Sequence, residues 1–144
     1  LTYGDLLSML PYDNYIVVAE VKGSTIVAML NKLMAFLPKP DGQFPQVSGM
    51  KFVIHEKEHR VSDVQVLNSY TQHYEPINLD RVYTVATTKY CVTDGGLYNA
   101  FKGCKIKWET KRTYNDIFIE YVTKNLNGHI GQEYAQPQGR MKKM

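Results

Sequence analysis

Residues Thr93 to Phe101 read TDGGLYNAF, an acidic residue, a glycine pair and an aromatic, shortly after the strand-like run VYTVATTKY. Gly-rich turns that follow strands cradle phosphates when a Lys and a Ser or Thr come next. Asp94, Gly95, Gly96 and Leu97 are followed by neither. The patterns GxGxxG and GxSxG are also absent from the chain. What Gly95 and Gly96 offer is a positive φ, or a bare backbone that another group can approach closely. A plain tight turn would use the same two residues.

The aromatics supply a second kind of chemistry. The chain has 11 tyrosines, and Tyr12 in LPYDN and Tyr98 in GGLYN sit beside turn residues. Aromatic rings on rigid loops can hold a flat heteroaromatic ring by apolar burial and ring-ring attraction. A ring tucked against the edge of the core is the structural alternative for each. His55 and His59 bracket the run HEKEH, but around the polar turn of a predicted hairpin and not on the helix that an HExxH metal motif needs; with His73 and His129 in loops, all four read as solvated side chains. Cys91 and Cys104 form no CxxC, so they are either two buried thiols or a bridge in an exported protein. A Cys91 nucleophile would need a histidine partner brought to it by the fold.

The elements that must carry these residues follow from periodicity. TYGDLLSML predicts a short helix with Thr2 as N-cap, Asp5 completing a capping box, Leu6, Leu7 and Leu10 on one face, and Pro11 as the stop. Tyr15 to Val21 reads as a buried strand. Gly23 and Ser24 open a helix from Thr25 to about Leu37, with Ile26, Leu30, Leu33 and Leu37 at helical spacing. Strands near Met50–His55 and Val61–Leu67 form a hairpin around a polar turn. NSYTQHYEPINLD is read as loop and RVYTVATT as a strand. KIKWE predicts a short strand. TYNDIFIEYVTKNL predicts a helix capped by Thr113, with Phe118, Tyr121, Val122 and Leu126 on its face. PQGRMKKM can add a final edge strand. Strands do not alternate strictly with helices, and a hairpin interrupts them. The expected fold class is α+β, a mixed β-sheet layered with helices, over a single domain spanning residues 1–144.

Composition narrows the classes further. A chain of 144 residues that is 44% hydrophobic and 22% charged suits one globular domain with its own core. The net charge of +3 is spread out, its densest runs being KWETKR and RMKKM, so a nucleic-acid partner is not expected. No apolar run approaches the ~20 residues that cross a bilayer. The chain opens Leu-Thr-Tyr, without Met, and reads as a piece of a longer protein.

Four stretches, in order, resemble one family. LTYGDLLSMLPYDNYIVVAEVKGSTI is similar to the opening helix, Leu-Pro-Phe-Gly-Asn turn, strand and Gly-started helix of the 5'-nucleotidase C-terminal domain. The wider group includes UDP-sugar hydrolases and 2',3'-cyclic-nucleotide phosphodiesterases. FPQVSGMKF resembles its Pro-Gln-(Val)-Ser-Gly strand entry, VYTVATTKYCVTDGGLY the strand leading to Gly-Gly-Asp-Gly-aromatic, and QGRM the closing Glu-Gly-Arg-Ile. The resemblance implies a substrate-binding domain in which Tyr12 and Tyr98 sandwich a nucleotide or nucleoside base, with Asp94, Gly95 and Gly96 in the binding loop. It implies a partner metallophosphoesterase domain, N-terminal and absent from this chain, that carries two divalent metal ions and the hydrolytic chemistry. This chain alone is then expected to be inactive and to hold no cofactor. Export to the periplasm, cell wall or outside is likewise implied. The chain departs from the pattern at three places. Asp94-Gly95-Gly96-Leu97 stands where the family has Gly-Gly-Asp-Gly, Lys102 stands where an Asp is frequent, and Lys89 stands for the usual Asn. A standalone or non-catalytic interaction module of the same fold is the alternative these departures raise.

Overall fold

The computed structural model describes residues 2–144, apart from the side chains of Leu97 and Tyr98. Helix α1 spans Tyr3–Met9. Thr2 caps it through the reciprocal pair predicted from sequence, since the Thr2 hydroxyl accepts from the Asp5 amide and Asp5 accepts from the Thr2 amide. Only Leu6 of the helix is buried, and Leu7 is exposed, so the expected apolar face is narrower than three leucines.

Strand β1 (Tyr15–Lys22) leads into α2 (Gly23–Leu33). The continuous apolar run of β1 suggests burial on both faces. Instead burial alternates: Val17, Ala19 and Val21 are fully buried, while Ile16 and Val18 are only half covered. The α-helix also ends earlier than expected, at Leu33, and tightens into a 3-10 turn at Met34–Phe36.

The hairpin forms as predicted, from β2 (Met50–His55) and β3 (Arg60–Leu67). Within the stretch read as loop, Tyr74–Pro76 makes a short strand β4 against β3. Three residues are too few to show a two-residue period, so pairing with β3 decides it. Strand β5 (Val82–Thr88) runs into α3 (Lys89–Thr93), a five-residue helix that the strand-like sequence VYTVATTKY concealed. A 3-10 turn at Gly96–Phe101 follows, then β6 (Lys105–Thr113), longer than the predicted KIKWE. Helix α4 (Tyr114–Glu120) has the Thr113 cap and a capping box with Asp116, and it widens into a π-helical turn at Tyr121–Asn125. Its predicted face is shallow: Phe118, Val122 and Leu126 are half-buried and Tyr121 is exposed. The tail supplies the edge strand β7 (Met141–Lys143).

The fold is α+β, with its strands divided into two sheets. One is antiparallel, in the order β5-β1-β6. The other runs β4-β3-β2-β7 and is mixed, because β7 lies parallel to β2. A single core joins them. Val17, Ala19 and Val21 of β1, Ile26, Leu30 and Leu33 of α2, and Phe52 and Ile54 of β2 belong to one buried cluster. Polar contacts tie α2 to the hairpin as well, with the Val61 amide donating to Asn31 Oδ1 at 2.8 Å.

Gly23 shows how tightly the start of α2 is held. Its amide donates to the Arg81 carbonyl and the Ser24 amide to the Leu79 carbonyl, each at 2.9 Å. A Cβ at Gly23 would lie 2.2 Å from the carbonyl oxygen of Asn78, so a glycine is required by close backbone approach.

Candidate functional site: the Tyr12 cleft

The turn between α1 and β1 carries Tyr12, and the start of α4 fixes that turn. The Tyr12 amide donates to the Tyr114 hydroxyl at 2.9 Å. The Tyr114 amide donates to the Asn14 carbonyl at 3.0 Å, and buried Asn115 donates through Nδ2 to the Leu10 carbonyl at 3.3 Å. Three bonds from two adjacent residues therefore hold the backbone on both sides of Tyr12. The ring itself remains 71% exposed.

Facing it is the loop after α3. The helix closes with the Asp94 amide donating to the Tyr90 carbonyl at 3.0 Å. Gly95 then takes φ +72° and Gly96 φ +47°, both in the left-handed region predicted for the glycine pair. Gly95 is buried and Asp94 is exposed. Gly96 is bare toward Tyr90: a Cβ there would meet the Tyr90 hydroxyl at 3.0 Å.

Tyr12 and Gly96 line one cleft of about 860 Å³, together with Asn14, Gly42, Gln43, Tyr90 and Cys91. Its volume lies in the range that holds a small organic ligand. Tyr90 is the cleft residue that the sequence reading missed. It is half-exposed in the α3 helix that periodicity did not reveal, and the signal for it was an aromatic shortly before a Gly pair. The Tyr98 side chain lies outside the described residues. Asp94 is not among the described residues that line the cleft.

The surrounding charges are largely engaged with protein partners. Lys89 Nζ pairs with Glu109 Oε1 at 2.9 Å, and Lys32 Nζ donates to the Asn99 side chain. Lys102 is exposed at the end of the 3-10 turn. Both cysteines are unbridged thiols. Cys91 Sγ lies 3.2 Å from the Thr88 hydroxyl, and burial pushes the Cys104 thiol up from its ordinary value, which keeps it protonated. His55 bonds Ser62 and His59 bonds the Met34 carbonyl, so neither is the freely solvated side chain expected. Among the described residues no three His, Cys, Asp or Glu side chains gather where they would hold a metal ion. No helix among them is long and apolar enough to cross a membrane.

The fold and the cleft define a class: an α+β domain with an open, aromatic-walled cleft and, among the described residues, no cluster that would hold a metal ion. Comparison with known proteins makes the class specific. The family model for the 5'-nucleotidase, C-terminal domain, matches residues 1–103, and the chain belongs to that family. It is 29% identical over 127 residues to the trifunctional nucleotide phosphoesterase protein YfkN of Bacillus subtilis, a match covering 86% of this chain and 9% of that protein. It is 29% identical over 140 residues to the NAD 5'-nucleotidase of Haemophilus influenzae, with 86% of this chain and 22% of that protein covered. A crystal structure of a 5'-nucleotidase precursor from Thermus thermophilus superposes with a TM-score of 0.85 at 25% identity, over 100% of this chain and 28% of that one. The chain thus spans between about a tenth and a quarter of the length of these relatives.

Proposed function

We propose that this chain is the nucleoside-binding part of a 5'-nucleotidase-type metallophosphoesterase that hydrolyses nucleotide phosphate esters. The observation that carries the reading is the shared cleft, in which Tyr12 from the first turn and Gly96 from the glycine loop meet across one opening. Tyr12 is one jaw. Tyr98, two residues beyond Gly96 in the same 3-10 turn, is the other. Gly95 and Gly96 turn the backbone so that the loop passes close to the ligand, with Asp94 at the loop's entrance. The amides of Asn14 and Gln43 supply polar atoms at the cleft wall for a base edge. Hydrolysis belongs to a separate N-terminal domain with two divalent metal ions, and binding of the base here orients the phosphate there. Export from the cytoplasm goes with this reading. The likeness to nucleotidases and phosphoesterases supports the proposed activity, and the likeness to a Thermus 5'-nucleotidase precursor supports export.

Calorimetric titration with adenosine, AMP and UDP-glucose tests the clamp. Tyr12→Ala and Tyr98→Ala are each expected to weaken binding of the preferred ligand by roughly 1–3 kcal/mol. An affinity unchanged by either substitution removes that residue from the clamp. No measurable binding of any nucleoside or nucleotide overturns the reading as a whole.

A further inference from the structure

The outer face of the β4-β3-β2-β7 sheet gathers cations, and strand register puts them there. Lys51 pairs with Gln65, Val53 with Lys142, and Leu67 with Tyr74. The alternate residues of β2, Phe52 and Ile54, are buried in the core. Lys51, Gln65, Tyr74 and Lys142 therefore share the face turned away from it. Arg140 lies two residues before Lys142 and falls on the same side. Its carbonyl accepts from the Phe52 amide at 2.9 Å, which fixes it to β2. These side chains surround a recess of about 350 Å³ that shares no lining residue with the Tyr12 cleft.

Three positive charges meet at this recess: Lys51, Arg140 and Lys142. Lys51 Nζ sits 4.6 Å from the centre of the Tyr74 ring. The Arg140 guanidinium donates to Gln138 Oε1, a neutral amide. Lys143, on the opposite side of β7, is paired with Glu56 at 2.6 Å. Among the described residues none of the three recess cations takes part in an ion pair. The carboxylate in the wall, Asp63, accepts from Gln65 Nε2 through one oxygen, Oδ1, at 2.9 Å. Asp63 sits where the β2–β3 register slips, with φ +49°. Such bulges re-aim side chains.

Like charges held together by separate strands repel, and an anion between them relieves the repulsion. The guanidinium fork matches a phosphate in two directions, and lysines serve phosphate as point charges. The recess volume fits a small ligand. We infer that this recess binds a phosphate group, as inorganic phosphate or on a small hydroxyl-bearing ester. Arg140, Lys142 and Lys51 hold the phosphate, and Asp63 and Gln65 receive the hydroxyls of an ester. The inference is independent of the nucleoside reading.

The test titrates the 144-residue chain with sodium phosphate, and separately with glycerol 3-phosphate, at ionic strength held constant with sodium chloride. Backbone amide NMR shifts of Lys51, Gln65 and Arg140 report the site. Saturable shifts are expected with both probes, and tighter binding of glycerol 3-phosphate identifies the ester as the better ligand. Gln138→Glu places a carboxylate on Arg140 and is expected to weaken binding at least roughly tenfold, as is Lys142→Ala. Lys142 is exposed, so its substitution reports on binding even where Gln138→Glu perturbs the tail. Tyr12→Ala is expected to leave these shifts unchanged. Shifts that do not saturate, or that persist undiminished in both variants, overturn the inference.

Discussion

Tyr12 is held through its backbone, and its ring is left to solvent, as a stacking residue needs. Its position could be read from Leu-Pro-Tyr beside a predicted helix stop. The glycine pair was equally legible, because positive φ is the main reason for two adjacent glycines after a strand. Tyr90 was only half legible: an aromatic shortly before a Gly pair marks it, but its place in the cleft depends on the turn that Gly95 and Gly96 make back toward it. Gly96→Ala tests that turn. A left-handed φ at a residue with a Cβ costs about 1–2 kcal/mol, which a urea titration should register. The added methyl also presses on the Tyr90 hydroxyl, 3.0 Å from its position. Ligand affinity is therefore expected to fall in the same variant, whereas stability loss without any change in affinity would place Tyr90 outside the binding surface.

Among the elements, the two capped helices were visible in sequence because a capping box is a local signature: Thr2 with Asp5, and Thr113 with Asp116. Helix α3 and strand β4 were not, being five and three residues long and set by neighbours far along the chain. The α4 cap has a pH signature. Hydrogen bonds from the Thr113 side chain and backbone, with the Arg112 charge, hold the Asp116 carboxyl below the ordinary carboxylate range. A folded-state pKa below the unfolded one means the contribution is present above the unfolded value and is lost as pH falls through the folded value. Thr113→Ala removes the cap hydroxyl, and a cap of this kind contributes about 1 kcal/mol. Urea midpoints of wild type and variant are expected to differ most at neutral pH and to converge in strongly acid buffer. A gap that stays constant with pH would exclude the Asp116 contribution. The same substitution should loosen the Tyr12 turn, which Tyr114 and Asn115 hold from the first turn of α4.

For the whole molecule, helical spacing of Ile26, Leu30 and Leu33 and the alternation in the hairpin revealed the core, and both sheets contribute to it. The split into two sheets was not visible, because nothing local says that β1 pairs with β5 and β6 while the hairpin pairs with β4 and β7. The loop at residues 78–81 seats on the start of α2 through two backbone hydrogen bonds. Gly23→Ala sets a methyl against the Asn78 carbonyl, a backbone atom that cannot rotate away. Overpacking of this kind costs typically about 1–3 kcal/mol, and thermal unfolding should show the loss. A Gly23→Ala protein as stable as wild type would mean that this loop yields easily. The residues that pin the Tyr12 turn, Tyr114 and Asn115, come after residue 103, where the family match ends. The aim of the aromatic jaw is thus inherited from a different stretch of chain than the jaw itself. If the proposed clamp holds, exchanging residues 104–144 between relatives is expected to retune the angle of the ring, and with it the choice of ligand, while every described residue lining the cleft stays the same.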